Sequence, residues 1–177
     1  MPDEKPPGAA QLPPSFLADP PYHSSYFQQP LGMSAALLAE LTKPFHQKLL
    51  EEAKHSLHAG LYEMAVVLSQ AACEMCTEWA LTTLLTIRNI KGLAEPLLDL
   101  FKATDICTER LHNVYEALSG DSPNQQPFWS ALKIHHARRN GVVHRGQKSS
   151  QNEAQESVLV VEQYLLHLEN VVKALQV

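Results

Sequence analysis

The sequence lacks several features that define large classes of proteins. It has only three cysteines in 177 residues, and this small, odd number does not suit a disulfide framework. No apolar run reaches the roughly 20 residues that span a bilayer, because Glu63, Glu74 and Glu78 interrupt the most apolar stretch. The opening residues also have no apolar signal-peptide core. We therefore expect a cytoplasmic protein that does not enter a membrane.

Positive charge is also scarce, with 14 Lys plus Arg against 19 Asp plus Glu and a formal net charge of -5. A chain with this balance does not coat nucleic acid with its whole surface. Residues 122–152 differ, because they contain no Asp or Glu. Their cationic side chains are Lys133, Arg138, Arg139, Arg145 and Lys148. A site for phosphate groups is therefore expected in this window.

Proline divides the chain into two parts, since most of its 12 prolines fall in the first thirty residues. Residues 1–30 are predicted to form a flexible proline-rich tail. Residues 31–177 show apolar residues at helical spacing and no convincing alternating strand. We predict an all-α fold for this part, an up-and-down bundle of four main helices plus a short helix.

Five segments carry the helical period. Pro44 is expected to break the first segment, and Pro96 suits the first turn of the third. The segments are 38–57, 61–79, 97–118, 128–143 and 158–175.

Two Glu-x-x-His motifs are typical of di-iron sites in helical bundles, where the ligands face inward. They are Glu52 to His55 and Glu109 to His112. On a helical wheel of about 100° per residue, each of these side chains lies about 70° or more from the apolar stripe of its helix. We interpret them as exposed charge and predict no metal site and no cofactor.

Other side chains of the metal-binding type are assigned to packing. Cys73 and Cys76 lie inside a predicted helix and Cys107 is isolated, so the cysteines are predicted to pack in the core. His135 and His136 are interpreted as interface histidines or as hydrogen-bonded core histidines.

The most informative segment runs from Arg139 to His144 and reads Arg-Asn-Gly-Val-Val-His. The wheel places Arg139 within about 20° of Leu132, on a face that should be buried, and a buried Arg needs a partner. Glu74 is one candidate partner, and a phosphate at a cleft or subunit interface is the other. Arg139 and His144 diverge by about 140° on an unbroken helix, so their convergence requires the helix to loosen, which Gly141 favours.

This segment resembles the R-x(4 to 6)-H signature of the HEPN superfamily (higher eukaryotes and prokaryotes nucleotide-binding), including the Asn that often follows the Arg. The resemblance covers about residues 31–177. It implies a metal-independent endoribonuclease, often a toxin or defence component, whose composite site forms where two copies meet in a homodimer. Expected products are a 2',3'-cyclic phosphate and a 5'-hydroxyl.

The resemblance implies catalytic roles for three residues. His144 would act as general acid or base, Arg139 would hold the scissile phosphate, and Asn140 would orient one of them. Expected RNA-backbone contacts come from solvent-facing Arg138, Arg145 and Lys148.

The residue two places after His144 bears on how the protein is regulated. A Tyr two places after the His is the modified residue in HEPN toxins paired with a nucleotidyltransferase antitoxin, and Gly146 stands there instead. We therefore do not expect regulation by modification of a tyrosine at this position. Another antitoxin or another protein partner remains an alternative. The alternative function is a non-catalytic HEPN interaction or nucleotide-binding module that recruits a partner protein.

Overall fold

A computed structural model describes residues 42–101 and 105–176. The chain divides into two units, residues 1–42 and 43–177, and the features below belong to the second unit. The predicted tail, its boundary at residues 30 and 31, and the start of the first predicted helix lie outside the described residues. Within the described ranges all regular structure is helical, which confirms the all-α class.

Six α-helices and two short 3-10 turns occur in the described parts of the chain. None of the described helices is long and apolar enough to cross a membrane. The helices are α1 Phe45–His58, α2 Tyr62–Ile87, α3 Ala94–Phe101, α4 Glu109–Ser119, α5 Trp129–Arg145 and α6 Gln151–Leu175, and the 3-10 turns are Lys91–Leu93 and Pro123–Gln125.

The break predicted at Pro44 is confirmed, because α1 begins at the next residue. Pro44 itself has an extended backbone, with φ -55° and ψ 144°. Proline cannot donate a backbone hydrogen bond to a preceding turn, so a helix does not continue through Pro44. Pro96 also lies in the first turn of its helix, α3, as predicted.

The third predicted helix is wrong as a single helix, because Asp105 to Thr108 are not helical and α3 and α4 are separate. The Asp105 side chain accepts a hydrogen bond from the backbone N–H of Cys107 at 2.9 Å. Thr108 has an extended backbone and its hydroxyl donates to the Asp105 carbonyl at 2.8 Å. Such local bonds compete with helical ones. The apolar period alone could not show this interruption.

The core surrounds α2, which contacts α1, α3, α4, α5 and α6. Because it is covered on several sides, its buried residues are not confined to one stripe. Cys73 and Cys76 are fully buried there, as predicted, and burial raises the pKa of both thiols. The hydroxyls of Thr77 and Tyr164 hydrogen-bond across the α2 and α6 contact at 2.7 Å, so this pair of buried polar groups is satisfied.

The link between α5 and α6 is held at both ends. Helix α5 ends at Gly146, whose φ of 63° is left-handed and suits glycine. Helix α6 begins with a capping box, in which the Ser150 hydroxyl accepts from the Glu153 backbone N–H and Glu153 accepts from the Ser150 backbone N–H. The carboxylate of Glu63 on α2 accepts from the Ser149 backbone N–H at 3.2 Å. These bonds fix the position of the chain that follows residue 145.

Candidate functional site

The residues of the Arg-x(4)-His segment all lie on the last turns of α5. This helix is continuous from Trp129 to Arg145, so it does not loosen at Gly141 in this structure. At about 100° per residue, Asn140 and His144 lie about 40° apart, whereas Arg139 and His144 diverge by about 140°. One chain therefore presents Asn140 and His144 together and directs Arg139 elsewhere.

Arg139 is half-buried, and its guanidinium is held by its neighbour in sequence. Its Nη1 donates to the Asn140 side-chain oxygen at 3.1 Å. Its Nε is buried and has no hydrogen-bond partner among the described residues. Glu74, one of the two candidate partners, does not pair with Arg139 among the described residues; it accepts a hydrogen bond from Gln70 at 2.8 Å. Because no described carboxylate neutralises the guanidinium, it keeps both charge and donors for an anion.

Asn140 and His144 are exposed at the end of α5. Val143 lies beside them and is 46% exposed, although it is apolar. An accessible imidazole can exchange protons with a substrate, which a buried one cannot do without rearrangement. The site therefore combines an unneutralised guanidinium, an amide that directs it, and an accessible imidazole.

The predicted orientation of Arg138 is wrong, because its side chain is only 13% exposed. Arg138 Nη1 donates to the Ser157 hydroxyl at 2.7 Å and Nη2 donates to the Glu156 carboxylate at 2.8 Å. Ser157 is fully buried on α6, so this arginine joins α5 to α6. The wheel could not show this, because residues beside a buried stripe reach a neighbouring helix as easily as solvent.

Arg145 and Lys148 are exposed, as predicted. Arg145 Nη2 donates to the Gln147 side chain at 3.3 Å, and the Lys148 ammonium lies 3.7 Å from Glu63. Lys148 is among the residues that line an open groove of about 450 Å³ between α5 and α6. The three predicted catalytic residues do not line this groove, so the two features are distinct.

The loop before α4 meets α5 at a second cluster of chemically active side chains. His136 Nδ1 lies 3.1 Å from Asp105 Oδ1. One donor atom from each of Asp105, Cys107 and His136 falls within 4.8 Å of the other two. Sequence reasoning missed this cluster because His136 lies about thirty residues after Asp105 and Cys107. The only local signal is the Asp-x-Cys spacing.

The electrostatics of this cluster depend on burial and on the short contacts. Burial and the nearby Asp105 charge raise the pKa of the Cys107 thiol to about 12. Burial alone would raise the pKa of Asp105, but the hydrogen bond and charge of His136, together with the hydrogen bonds from Cys107, outweigh burial and lower that pKa. Without a cation, Cys107 is therefore a neutral thiol beside an ionised carboxylate.

The two neighbouring histidines differ from each other. His136 is buried and its Nδ1 is paired with Asp105, which agrees with a hydrogen-bonded core histidine at that nitrogen, whereas its Nε2 has no partner among the described residues. His135 is fully buried, but neither ring nitrogen has a hydrogen-bond partner among the described residues, so that interpretation is wrong for His135. Burial, followed by the charges of His136 and Arg138, lowers the pKa of His135 to about 3.

The two Glu-x-x-His motifs do not form a joint site. Glu52, His55 and Glu109 are exposed, as predicted. His112 is buried instead, with its ring centroid 5.7 Å from that of Trp129. Its predicted orientation is wrong because α4 is a separate helix whose face is set by its own packing. Neither motif belongs to the one group of metal-type ligands found in the described residues.

Comparison with known proteins identifies no relative: no family model, no curated protein and no solved structure matches the chain. Function must therefore be argued from the chemistry of the site itself.

Proposed function

We propose that the protein is a metal-independent endoribonuclease of HEPN type that acts as a homodimer. The observation that carries the proposal is the pairing of Arg139 with Asn140 at 3.1 Å, beside the exposed His144 at the end of the same helix. A guanidinium without a described carboxylate partner suits a phosphate diester, and an accessible imidazole suits proton transfer at a ribose hydroxyl.

The order of the helices supports the same proposal. The motif lies at the end of α5, Gly146 ends that helix, and the long α6 follows. The 26-residue α2 precedes them in the chain. We propose that these helices form the up-and-down HEPN-like bundle that the resemblance implies.

The proposed reaction is an internal transesterification. His144 accepts the proton of the ribose 2'-hydroxyl, and the resulting oxygen attacks the adjacent phosphorus. The bond from phosphorus to the 5'-oxygen breaks, and the leaving oxygen takes up the proton that His144 accepted. Arg139 offsets the negative charge that develops on the phosphate oxygens. The products are a 2',3'-cyclic phosphate and a 5'-hydroxyl.

A homodimer brings Arg139 and His144 together. Because Arg139 and His144 diverge by about 140° on a continuous helix, one chain does not bring them together. Two copies related by twofold symmetry can place Arg139 of one copy against His144 of the other. The exposed Val143 offers apolar surface for such a contact.

The test is cleavage of a mixed RNA pool in EDTA by the wild type, Arg139→Ala and His144→Ala. We expect both variants to lose at least about a hundredfold in rate. Arg110→Ala and His55→Ala serve as matched controls, since both residues are exposed and lie on other helices. Circular dichroism and sedimentation confirm the fold and the dimer of each protein.

Mixing the two inactive variants tests the composite site. Exchange of subunits produces heterodimers in which one of the two sites regains both residues, so partial activity should return. No recovery from exchanged heterodimers would contradict a site shared between copies. A folded wild-type dimer that cuts no RNA would overturn catalysis and favour the non-catalytic interaction module.

A further inference from the structure

The cluster of Asp105, Cys107 and His136 contains three different donor types in one small volume. Their donor atoms all lie within 4.8 Å of one another, and His136 Nδ1 is already 3.1 Å from Asp105 Oδ1. Zinc bonds of about 2.0 to 2.3 Å in a tetrahedron set donor atoms about 3.3 to 3.8 Å apart. Only a small inward movement of the side chains is needed to reach that geometry.

We propose that Asp105, Cys107 and His136 bind a zinc ion that joins the loop before α4 to helix α5. Cysteine sulfur, imidazole nitrogen and carboxylate oxygen are the ligand types that zinc takes in proteins. Three protein ligands leave one tetrahedral position for water. This site goes beyond the proposed ribonuclease function, which involves no metal in its chemistry.

Binding of zinc would change the protonation of this cluster. The Asp105 carboxylate faces the imidazole of His136, and it also accepts from the backbone N–H of Cys107 at 2.9 Å. Binding of zinc would replace the thiol proton of Cys107 and any proton on the coordinating nitrogen of His136, and would release them to solvent. The carboxylate would then face the metal cation rather than a hydrogen-bond donor.

The surroundings also suit a bound cation. His136 is 10% exposed and Asp105 is 32% exposed in their side chains, so the site is largely enclosed and still open on one side for entry. His136 lies one turn before Arg139 on α5. A zinc ion here would fix the helix that carries the proposed active site without contacting RNA.

The experiment uses the untagged full-length protein, stripped of metal and titrated with Co²⁺ and Zn²⁺. Co²⁺ bound to a thiolate gives a sulfur-to-metal charge-transfer band in the near ultraviolet, which histidine-only binding does not give. We expect this band, its loss on displacement by Zn²⁺, and about one Zn²⁺ per chain by mass spectrometry of metals. Zinc should also raise the Tm.

Two near-isosteric variants and one control locate the ligands. Cys107→Ser removes the sulfur. His136→Asn removes the imidazole nitrogens that could bind zinc and keeps an amide that can donate a hydrogen bond to Asp105. Both should lose the band and the zinc. Cys76→Ala should keep them, because Cys76 is a core thiol outside the cluster.

The spectrum of the wild type tests the zinc proposal even if a variant fails to fold. Absence of a thiolate band in the folded wild type would overturn the proposal, as would unchanged binding by folded Cys107→Ser or His136→Asn. The zinc proposal and the ribonuclease proposal fail separately, because metal content depends on Cys107 and His136, and catalytic loss depends on Arg139 and His144.

Discussion

The guanidinium Nη1 of Arg139 donates a hydrogen bond to the side-chain oxygen of Asn140 at 3.1 Å. Adjacent residues on a helix diverge by about 100°, so this bond draws Nη1 toward Asn140 while Nε of the same guanidinium stays buried. The same face carries His144. The pair therefore sets part of the guanidinium beside Asn140, whereas Arg139 and His144 of one chain still diverge by about 140° around the helix.

The first prediction concerns Asn140→Ala, which removes the group that directs Arg139. Hydrogen bonds to charged groups contribute about 1.5 to 3 kcal/mol, so the rate of RNA cleavage should fall about ten- to a hundredfold. The Tm should change little, because Asn140 is exposed. Single-turnover cleavage rates and thermal unfolding measure the two effects.

Asn170→Ala is the matched control for this substitution, since Asn170 is an exposed asparagine on α6. It should cleave RNA at the wild-type rate. If Asn140→Ala also cleaved at that rate, the amide would have no role in positioning Arg139.

The second prediction separates the two neighbouring arginines by stability. Arg138→Met removes the donor to the buried Ser157 hydroxyl and the ion pair with Glu156, and it should lower the free energy of unfolding by about 1 to 3 kcal/mol. Arg145→Met should stay within about 0.5 kcal/mol of the wild type, because Arg145 is exposed. Urea unfolding followed by circular dichroism makes the comparison. Equal losses in the two variants would contradict the structural role of Arg138.

The sequence predicted the helical class well because apolar spacing directly reflects which side of a helix is buried. Helix α6 shows this. The apolar residues that give segment 158–175 its helical period are buried except Leu175, which is partly buried; the buried ones are Val158, Val161, Leu165, Leu168 and Val172. Pro44 and Gly146 likewise act through backbone geometry that needs no tertiary information.

Contacts between distant segments could not be predicted in the same way. The interruption between α3 and α4 depends on the side chain of Asp105, which binds local backbone instead of continuing the helix. The bond from Arg138 to Ser157 depends on how α5 approaches α6. The contact of Asp105 and Cys107 with His136 depends on the interruption at Asp105 and on the packing of α5, so no spacing in the sequence predicts it.

The third prediction compares Gly141, which lies within α5, with Gly146, which ends that helix. A Cβ at Gly141 would lie 1.9 Å from the Gln147 side-chain oxygen, the far end of a flexible side chain that can move away. Gly141→Ala should therefore raise the free energy of unfolding by about 0.5 to 1 kcal/mol, since alanine favours the helix. Cleavage should be unchanged, because α5 is already continuous. Reduced cleavage with raised stability would instead show that the helix loosens at Gly141 during the reaction.

Gly146→Ala is the opposite case. Gly146 has a left-handed backbone with φ 63°, a conformation that costs other residues about 1 to 2 kcal/mol. This variant should be destabilised by about that amount in urea unfolding, although nothing lies near its Cβ position. A neutral Gly146→Ala would contradict the assigned helix end.

The fourth prediction is a pH dependence at the start of α6. The Glu153 carboxylate accepts from the backbone N–H of Ser150 and from its hydroxyl, and these bonds lower the pKa of Glu153 from its ordinary value of 4.5. A lowered pKa in the folded state means that the unfolded chain binds the proton more readily. The stabilisation is therefore complete above about pH 4.5 and is lost as the pH falls through the lower folded pKa.

Glu153→Gln tests this assignment, because glutamine also forms capping boxes and does not titrate. The wild type should lose Tm more steeply than this variant as the pH falls below about 4.5, and the two should change in parallel above that pH. Ser150→Ala should weaken the acid-dependent component without abolishing it, because alanine keeps the backbone N–H that donates to Glu153. It should also lower the Tm at neutral pH, because it removes the hydroxyl that caps the Glu153 N–H. Parallel acid profiles for the wild type and Glu153→Gln would show that this carboxylate does not hold the end of the link that follows the proposed active site.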